Sequence, residues 1–273
     1  MHKSMSIAAI QMNSILGEPT LNLDRVEALL ATLEGDVDIV CLPELFNVGY
    51  NLDALGNRLR ELAEPVPDGT TTRRLAEMAR RFHVSILAGL VEADPELTGT
   101  IYDSVVILDP DGQLAGTYRK SHLYPAEYRY FTAGNSLPVF TLAGVKIGVA
   151  ICFEHAFPQI FTTLALRGAQ VIFNPSAVPV GFSYLQDLRT RARAQDNQVF
   201  VIAVNHVGPE GNVIYCGRSL IADPRGEVVM LGPDADEGIV MGTLPFELIT
   251  DQRWQEPIFR CFRPMLYEPR DGR

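Results

Sequence analysis

Cysteine pairs, metal-ligand clusters and long apolar runs are all missing from this sequence. The four cysteines lie far apart and form neither a CxxC pair nor a zinc-ligand spacing with the five histidines; they are Cys41, Cys152, Cys216 and Cys261. We therefore expect no disulfide and no structural metal. In a reducing compartment, a cysteine with polar neighbours points to catalysis rather than to cross-linking.

A strong positive field is missing as well. The net charge is −10 and the acidic and basic residues are interspersed, so nucleic acid and anionic membranes are poor partners. The densest basic cluster spans residues 189–193, and helical spacing turns Arg191 away from Arg189 and Arg193, so we interpret it as a solvated helix face. No apolar stretch is long enough to span a bilayer, and residues 1–12 lack the features of a cleavable secretory signal. We expect a cytoplasmic protein.

The composition is typical of a folded globular protein. Hydrophobic residues make up 47% and charged residues 21% of the chain, and no linker divides it, so we predict one domain over residues 1–273. Short β-rich runs alternate with helical patterns, which indicates an α/β fold. Strands are predicted at residues 6–11, 39–42, 84–90, 104–108, 145–151, 171–174, 199–205, 220–223 and 239–244, and helices at 21–33, 71–82, 158–167 and 184–195.

Residues 104–113 and residues 219–227 are similar in sequence to each other. Each segment is a strand closed by an Asp-Pro-x-Gly turn. This internal similarity indicates two similar halves, each with a sheet, packed into one domain. Because hairpins often use this turn, the two segments are equally well explained as unrelated hairpins.

Cys152 ends the apolar run 145–151 and is followed by Pro158, which can start a helix. This pattern predicts a strand, a sharp bend that carries the thiol, and a helix. Unpaired backbone N–H groups near a helix start stabilise negative charge, so we expect a lowered cysteine pKa. This placement suits a nucleophile.

Two further polar residues, Glu44 and Lys120, follow predicted strands or hairpins. In α/β folds, side chains at strand ends converge on ligands. A carboxylate, an ammonium and a thiol in one pocket can perform acyl transfer. Taken alone, Glu44 and Lys120 are explained as solvated charges at strand ends, and Cys152 as an inert buried thiol. Only the combination of the three favours catalysis.

Three segments resemble the signature blocks of the nitrilase superfamily, the carbon–nitrogen hydrolases. They are Leu-Pro-Glu-Leu-Phe at 42–46, Tyr-Arg-Lys-Ser-His-Leu at 118–123 and Gly-Val-Ala-Ile-Cys-Phe-Glu at 148–154, and their order and spacing fit over nearly the whole chain. The resemblance implies a four-layer αββα sandwich, which agrees with two similar halves. It also implies a Glu44, Lys120 and Cys152 triad.

Further site residues are implied by the same resemblance. Glu127 resembles the second glutamate that positions substrate in this family, although alone it would be read as a surface carboxylate. Residues 174–177 resemble a loop that lines the family's pocket, which makes Ser176 and Ala177 candidate substrate-binding residues. Residues 193–197 resemble a helix-ending segment with a structural role. His155 lies near Cys152 in sequence, but closeness in sequence does not indicate a Cys-His pair, and we expect it to support the site.

The implied mechanism uses no metal and no organic cofactor. Cys152 attacks an amide carbonyl or nitrile carbon while Glu44 takes the thiol proton. Lys120 and the backbone N–H of Phe153 stabilise the developing charge. Glu44 then protonates the departing ammonia and activates the water that hydrolyses the thioester.

The substrate class has several candidates. Residues 191–197 and 215–217 are similar to bacterial aliphatic amidases, including those acting on ω-amino amides, which favours a small aliphatic carboxamide. The Cys-Phe-Glu-His segment at 152–155 is instead similar to the Cys-x-Glu-His of true nitrilases, and N-carbamoyl amines are a third possibility. A catalytically silent binding protein on the same fold is the alternative from a different class.

The C-terminal segment 254–267 is more apolar than a free terminus should be. Family members usually associate through helices near the nucleophile and through the C-terminal tail. We therefore predict a homodimer or a larger homo-oligomer, the alternative being a tail that packs on its own subunit. The apolar residues are Trp254, Ile258, Phe259, Phe262, Met265, Leu266 and Tyr267.

Overall fold

Two six-stranded sheets form the centre of the protein in a computed structural model that describes residues 3–267. The strands are β1 (Ser4–Gln11), β2 (Ile39–Cys41), β3 (Ser85–Ala93), β4 (Ile101–Leu108), β5 (Leu114–Arg119), β6 (Val139–Leu142), β7 (Val145–Val149), β8 (Val171–Ser176), β9 (Phe200–Asn205), β10 (Val207–Glu210), β11 (Val213–Cys216), β12 (Leu220–Ala222), β13 (Val228–Leu231) and β14 (Gly238–Pro245). The helices are α1 (Pro19–Leu30), α2 (Leu52–Leu55), α3 (Arg58–Leu62), α4 (Thr70–Phe82), α5 (Pro158–Leu166), α6 (Ser183–Asn197), α7 (Glu247–Gln255) and α8 (Ile258–Cys261).

The two sheets share one arrangement of strand directions, although the edge strand β14 is the last strand of the chain whereas its counterpart β6 directly precedes β7. Their strand orders are β14-β1-β2-β3-β4-β5 and β13-β12-β9-β8-β7-β6. In each sheet, three parallel strands lie between one antiparallel edge strand and an antiparallel hairpin. The prediction of two similar halves is therefore confirmed for the spatial order and the directions of the strands.

The hairpins that close the two halves use the same turn. Asp109 and Asp223 each accept hydrogen bonds from the backbone N–H groups two and four residues later. Gly112 and Gly226 have positive φ angles of 72° and 77°, which glycine adopts without steric cost. The internal sequence similarity thus reflects a repeated structural element.

The layers follow from alternation along the buried strands. In β1, Ile7 and Ala9 belong to the core between the two sheets, whereas Ala8 and Ile10 pack in the core beneath α1 and α4. The second sheet packs its other face against α5 and α6. The order of layers is αββα, as the resemblance implied.

All nine predicted strands and all four predicted helices are present, with their ends shifted by a few residues. Several elements were not predicted. The exposed strand β13 carries no buried face, and α2, α3 and α8 are too short to show a periodic pattern. Among residues 3–267, no helix is long and apolar enough to cross a membrane.

A close backbone approach in the first sheet positions the loop that follows β2. A Cβ on Gly89 of β3 would lie 2.6 Å from the carbonyl oxygen of Pro43 and 2.8 Å from the Cα of Glu44. The N–H of Phe46 donates to the Gly89 carbonyl over 3.0 Å. Only glycine allows the loop carrying Glu44 to lie this close to the strand.

We expect Gly89→Ala to lower the free energy of unfolding by about 1–3 kcal/mol, because the added methyl group displaces backbone rather than a flexible side chain. Urea denaturation measures this change. Gly181→Ala is the matched control, since a Cβ there meets nothing within 4 Å. Equal unfolding free energies for the two variants would contradict the close-approach interpretation.

Candidate active site

Cys152 lies on a sharp bend between the two elements that the sequence predicted. Strand β7 ends at Val149, a 3-10 turn covers Cys152–Ala156, and α5 begins at Pro158. The φ angle of Cys152 is +42°, a left-handed conformation that non-glycine residues seldom adopt. The side chain lines a cavity of about 400 Å³. The strand, bend and helix prediction is confirmed.

The side chain of Asn174 fixes the backbone of this bend. Its side-chain amide donates 2.5 Å to the carbonyl oxygen of Ala150 and 3.4 Å to that of Cys152. Asn174 belongs to the neighbouring strand β8, so strand pairing fixes the position of the nucleophile's backbone. A left-handed residue persists when its surroundings constrain it in this way.

Glu154 ties the same bend to the segment after Lys120. Its buried carboxylate accepts hydrogen bonds from the N–H of Ile151, the N–H and hydroxyl of Ser121 and the hydroxyl of Tyr118. Burial alone would raise the pKa of Glu154, but the hydrogen bonds outweigh it and hold the pKa below its usual range. Sequence reasoning did not identify this role.

The second half of the site is a buried cluster around Lys120. The Nζ of Lys120 lies 2.5 Å from Glu44 Oε1, 2.6 Å from Glu127 Oε1 and 3.3 Å from Asp103 Oδ2, and all four side chains are fully buried. Burial lowers the pKa of Lys120, but the surrounding carboxylates raise it well above its usual value, so the ammonium stays charged. The structure thus brings together Glu44, Lys120 and Glu127 as the sequence predicted.

Glu127 is buried, so its interpretation as a surface carboxylate is wrong. It begins a 3-10 turn, and its Oε2 accepts the backbone N–H of Tyr124 over 2.7 Å. Its Oε1 accepts from Lys120 and from the hydroxyl of Tyr50, which lines the cavity. Glu127 therefore joins the lysine to the cavity wall.

Glu44 is anchored from the opposite sheet. It follows β2 directly, and its carbonyl oxygen accepts a 2.5 Å hydrogen bond from His206, which lies between β9 and β10. Burial lowers the pKa of His206 to about 4, so the imidazole is neutral and can serve as this donor. The next residue, Leu45, has a positive φ of 48°, which turns the chain immediately after the glutamate.

Asp103 is a further member of the cluster that sequence reasoning missed. It lies in the buried strand β4, one residue before the predicted start of that strand. Within residues 3–267, no hydrogen bond reaches Glu44 Oε2 or Asp103 Oδ1, and Asp103 Oδ2 has only its ion pair with Lys120 at 3.3 Å. Burial raises the pKa of Asp103 to about 6 and that of Glu44 well above its usual value. A charged residue directly before a predicted buried strand was the signal that could have identified it.

Three carboxylates share one site here. Oxygen atoms of Glu44, Asp103 and Glu127 lie within 4.8 Å of one another, a spacing that would also suit a cation. The ammonium of Lys120 contacts all three and supplies the positive charge at this point. A bound cation would therefore have to compete with this ammonium.

The prediction of a lowered Cys152 pKa is wrong. Burial and then the neighbouring carboxylate of Glu44 raise the thiol pKa well above its usual value, outweighing Lys120 and the backbone N–H of Ala177, which act in the opposite direction. The turn Cys152–Ala156 has only five residues, so it supplies little dipole. Cys152 is a neutral thiol that needs a base.

The predicted binding residues divide into two groups. Phe153 and Ala177 line the cavity, together with Tyr50, Tyr124 and Val178. Ser176 does not line it, because this last residue of β8 is buried and its hydroxyl is hydrogen-bonded to Asn174 over 3.0 Å. The role of Ser176 as a substrate contact therefore stays a prediction.

The arginine cluster on α6 is only partly a solvated face. Arg189 lines the cavity and its Nη1 lies 3.0 Å from His155 Nε2, while Arg193 donates to the His155 carbonyl. Arg191 points elsewhere and donates to Gly226, as the helical spacing predicted. Burial and the two arginines lower the pKa of His155 to about 3, so this histidine is neutral and supports the site.

We expect Glu154→Gln to lower the free energy of unfolding by about 2 kcal/mol at neutral pH, because an amide cannot accept all the donors that face the carboxylate. The folded-state pKa of Glu154 lies below the ordinary 4.5, so its stabilisation is present above that pH and is lost as pH falls through the folded value. Urea denaturation at pH 7 and pH 4 should show the difference shrinking at pH 4. The exposed Glu77→Gln is the control, and a pH-independent difference would contradict the role of the charge.

Comparison with known proteins identifies the family of this chain. Residues 6–253 match the model of the carbon–nitrogen hydrolase family. The chain is 34% identical over 252 residues to a nitrilase of Pyrococcus abyssi, covering 91% of this chain and 93% of the relative. It is 32% identical over 266 residues to a 2-oxoglutaramate amidase of Bacillus subtilis, covering 96% and 99% of the two chains.

Solved structures agree with these relatives. A Saccharomyces cerevisiae member of branch 10 of the nitrilase superfamily superposes with a TM-score of 0.88 at 27% identity, over 96% of this chain and 98% of the other. A mutant amidase of Nesterenkonia sp. AN1, with acrylamide added at its active-site cysteine, superposes with a TM-score of 0.80 at 25% identity, over 92% and 97%. The chain belongs to the nitrilase superfamily of carbon–nitrogen hydrolases, with the αββα fold of that superfamily.

Proposed function

We propose that the protein is an amidase that hydrolyses a small aliphatic carboxamide to a carboxylate and ammonia through a thioester on Cys152. One observation carries the proposal. The thiol lines a cavity and lies close enough to the buried Glu44, Lys120 and Glu127 for all three to influence its pKa. A nucleophile, a base and a fixed positive charge therefore meet at one place.

The first half of the reaction forms the thioester. The Cys152 thiol passes its proton to Glu44 as the sulfur bonds to the amide carbon and the carbonyl electrons move to oxygen. The charge of Lys120 stabilises this oxyanion, and Phe153 occupies the second position of the turn, where the backbone N–H has no partner within the turn. The C–N bond then breaks, Glu44 returns the proton to nitrogen, and ammonia leaves.

The second half releases the acid. Water attacks the thioester carbon while Glu44 accepts one of its protons, and collapse of the tetrahedral intermediate breaks the C–S bond. Glu44 then returns the proton to sulfur, and the acid departs and loses its remaining proton to solvent. The raised pKa of Glu44 suits both halves, because a stronger carboxylate base can exchange a proton with a thiol whose pKa is also raised.

The cavity favours a small and largely apolar substrate. Its volume of about 400 Å³ lies at the lower end of the range for ligand sites, and its walls are mainly aromatic and aliphatic. The amidase relative from Bacillus subtilis supports an amide, whereas the name of the Pyrococcus abyssi relative supports a nitrile. Glu154 and His155 have structural partners here, so the Cys-x-Glu-His pattern needs no nitrile-specific explanation. N-carbamoyl amines remain an outcome of the test.

The test is ammonia release from a panel of short aliphatic amides, ω-amino amides, nitriles and N-carbamoyl amines. We expect release from amides, and we expect Cys152→Ala to abolish it, because no other cysteine lines the cavity within residues 3–267. Cys261→Ala is the matched control, since that cysteine is exposed. Release from nitriles or N-carbamoyl amines alone would replace the proposed substrate, and no release from any compound would favour a silent binding protein.

Asp103 should set the pH at which the enzyme becomes active. Burial and then the charges of Asp103 and Glu127 raise the pKa of Glu44, so the acid limb of kcat/KM should lie above the pH of an ordinary carboxylate. Asp103→Asn removes one of these charges and should move the acid limb to lower pH, since Glu44 then ionises more readily. The pH profile of ammonia release measures this. The exposed Glu77→Gln should leave the profile unchanged, and an unshifted limb in Asp103→Asn would contradict the coupling.

We also propose that the protein forms a homodimer or a larger homo-oligomer through its C-terminal segment. Trp254 is 88% exposed and Leu266 61% exposed, whereas Phe259 packs partly on its own subunit. A second copy would cover these exposed apolar side chains. Sedimentation equilibrium should show an oligomer that Trp254→Glu weakens and that Leu97→Glu, at an equally apolar but separate exposed site, does not. A monomer at all concentrations would overturn the proposal.

A further inference from the structure

Two segments from different halves of the chain meet in the cavity wall. Tyr50 and Asn51, which directly precede α2, line the cavity from the first half. Val213 and Tyr215, on the second strand of the β10–β11 hairpin, line it from the second half. The contact that joins these segments therefore sets the geometry of this part of the wall.

Glu210, the last residue of β10, joins the two segments. Its carboxylate is buried, and Oε2 accepts hydrogen bonds from the backbone N–H groups of Tyr50 over 2.9 Å and Asn51 over 2.5 Å. The same oxygen accepts from the Tyr215 hydroxyl over 3.2 Å, and the Asn51 side chain donates to the Glu210 carbonyl over 2.9 Å. Glu210 is not one of the cavity-lining residues. It therefore acts on the site only through the residues that it holds.

Gly49 allows the Glu210 carboxylate to lie against this loop. Its φ angle of 82° is one that glycine adopts without steric cost, and a Cβ there would collide with Oε1 of Glu210. That oxygen is buried and accepts no hydrogen bond from residues 3–267. All three donors thus converge on Oε2, and a single oxygen atom makes the attachment.

Tyr50 connects this attachment to the reacting cluster. Its hydroxyl donates to Oε1 of Glu127, the oxygen that also accepts from Lys120 over 2.6 Å. The Nζ of Lys120 lies 5.9 Å from the centroid of the Tyr50 ring, which is close enough for a cation–π contact. Displacing the Tyr50 backbone would therefore withdraw one of the two donors that hold Oε1 of Glu127.

Resting on the proposed amidase function, we infer that Glu210 is a positioning residue, which holds Tyr50 so that its hydroxyl keeps Glu127 in place beside Lys120. The role depends on where the Oε2 atom of Glu210 lies and not on its charge. A misplacement of about 1 Å in an active site can lower the rate about a hundredfold, so a contact outside the cavity can still control kcat.

Two conservative variants separate position from charge. Glu210→Gln keeps an oxygen at the Oε2 position and removes the charge, whereas Glu210→Asp keeps the charge and withdraws the oxygen by one methylene group. With butyramide as the probe, we expect kcat for ammonia release to stay within about threefold of native in Glu210→Gln and to fall about tenfold or more in Glu210→Asp. A rise in KM alone in Glu210→Asp, or equally slow Gln and Asp variants, would overturn the inference.

Tyr50→Phe tests whether Glu210 acts through the Tyr50 hydroxyl. This variant removes the donor to Glu127 and should lower kcat by about tenfold. In the Tyr50→Phe background, Glu210→Asp should lower kcat by less than about threefold more, because the contact that it supports is already absent. Independent losses that multiply to about a hundredfold would show that Glu210 acts by another route and would overturn the inference.

The matched control is Glu64→Asp. The carboxylate of Glu64 also accepts a backbone N–H, that of Thr71 over 2.7 Å, but Glu64 does not line the cavity. We expect Glu64→Asp to leave kcat unchanged in the native and Tyr50→Phe backgrounds. A loss of kcat equal to that of Glu210→Asp would mean that any shortened glutamate slows the enzyme, which would overturn the specific role of Glu210.

Hydrogen–deuterium exchange tests the same connection without turnover. Glu210→Asp should speed exchange in residues 49–53, which contain its two backbone donors, and in residues 122–128, where Glu127 accepts the N–H of Tyr124. Tyr50→Phe should speed exchange in residues 122–128, and Glu64→Asp in neither segment. If no amide releases ammonia but this pattern appears, the amidase proposal fails and the positioning of Glu127 by Glu210 stands. Unchanged exchange of residues 122–128 in Glu210→Asp would overturn the positioning role whatever the turnover.

Discussion

The burial of Lys120 among three carboxyl groups is the constraint on which the rest of the site depends. Removing charges from water costs several kcal/mol for each ion unless partners surround them, so these four groups stabilise one another only in this arrangement. Glu44 follows β2, Asp103 lies in β4 and Lys120 follows β5, so the first sheet supplies most of the cluster. The nucleophile comes from the second sheet. The site exists only because the two sheets pack face to face.

Contacts between the two halves also position the reacting groups. His206, from the second sheet, holds the backbone of Glu44, and Glu154, beside the nucleophile, holds the segment after Lys120. Each half therefore fixes a reacting group of the other. Several of the buried polar groups where the two halves meet are therefore hydrogen-bonded from one half to the other.

The same burial decides the proton chemistry. The thiol of Cys152 and the carboxyl of Glu44 both have raised pKa values, for the shared reason that burial disfavours their charged forms. Because both pKa values rise, the proton transfer from the thiol to Glu44 is easier than it would be from the same thiol to an ordinary carboxylate. Buried neighbours rather than a helix dipole thus control the nucleophile, which corrects the expectation drawn from its place at a helix start.

The sequence by itself determined the alternation of strands and helices, the repeated Asp-Pro-x-Gly turn and the identity of Glu44, Lys120 and Cys152, because periodicity and short motifs are local properties. Tertiary structure decided the thiol pKa, the position of Asp103 beside Lys120, the burial of Ser176 and the placement of Arg189 on the cavity wall. Each of these depends on which distant residues surround a group and how far water is excluded. Desolvation and partner geometry arise only when the two sheets and their helices pack together, so a local pattern could flag a residue such as Asp103 but could not assign its partners.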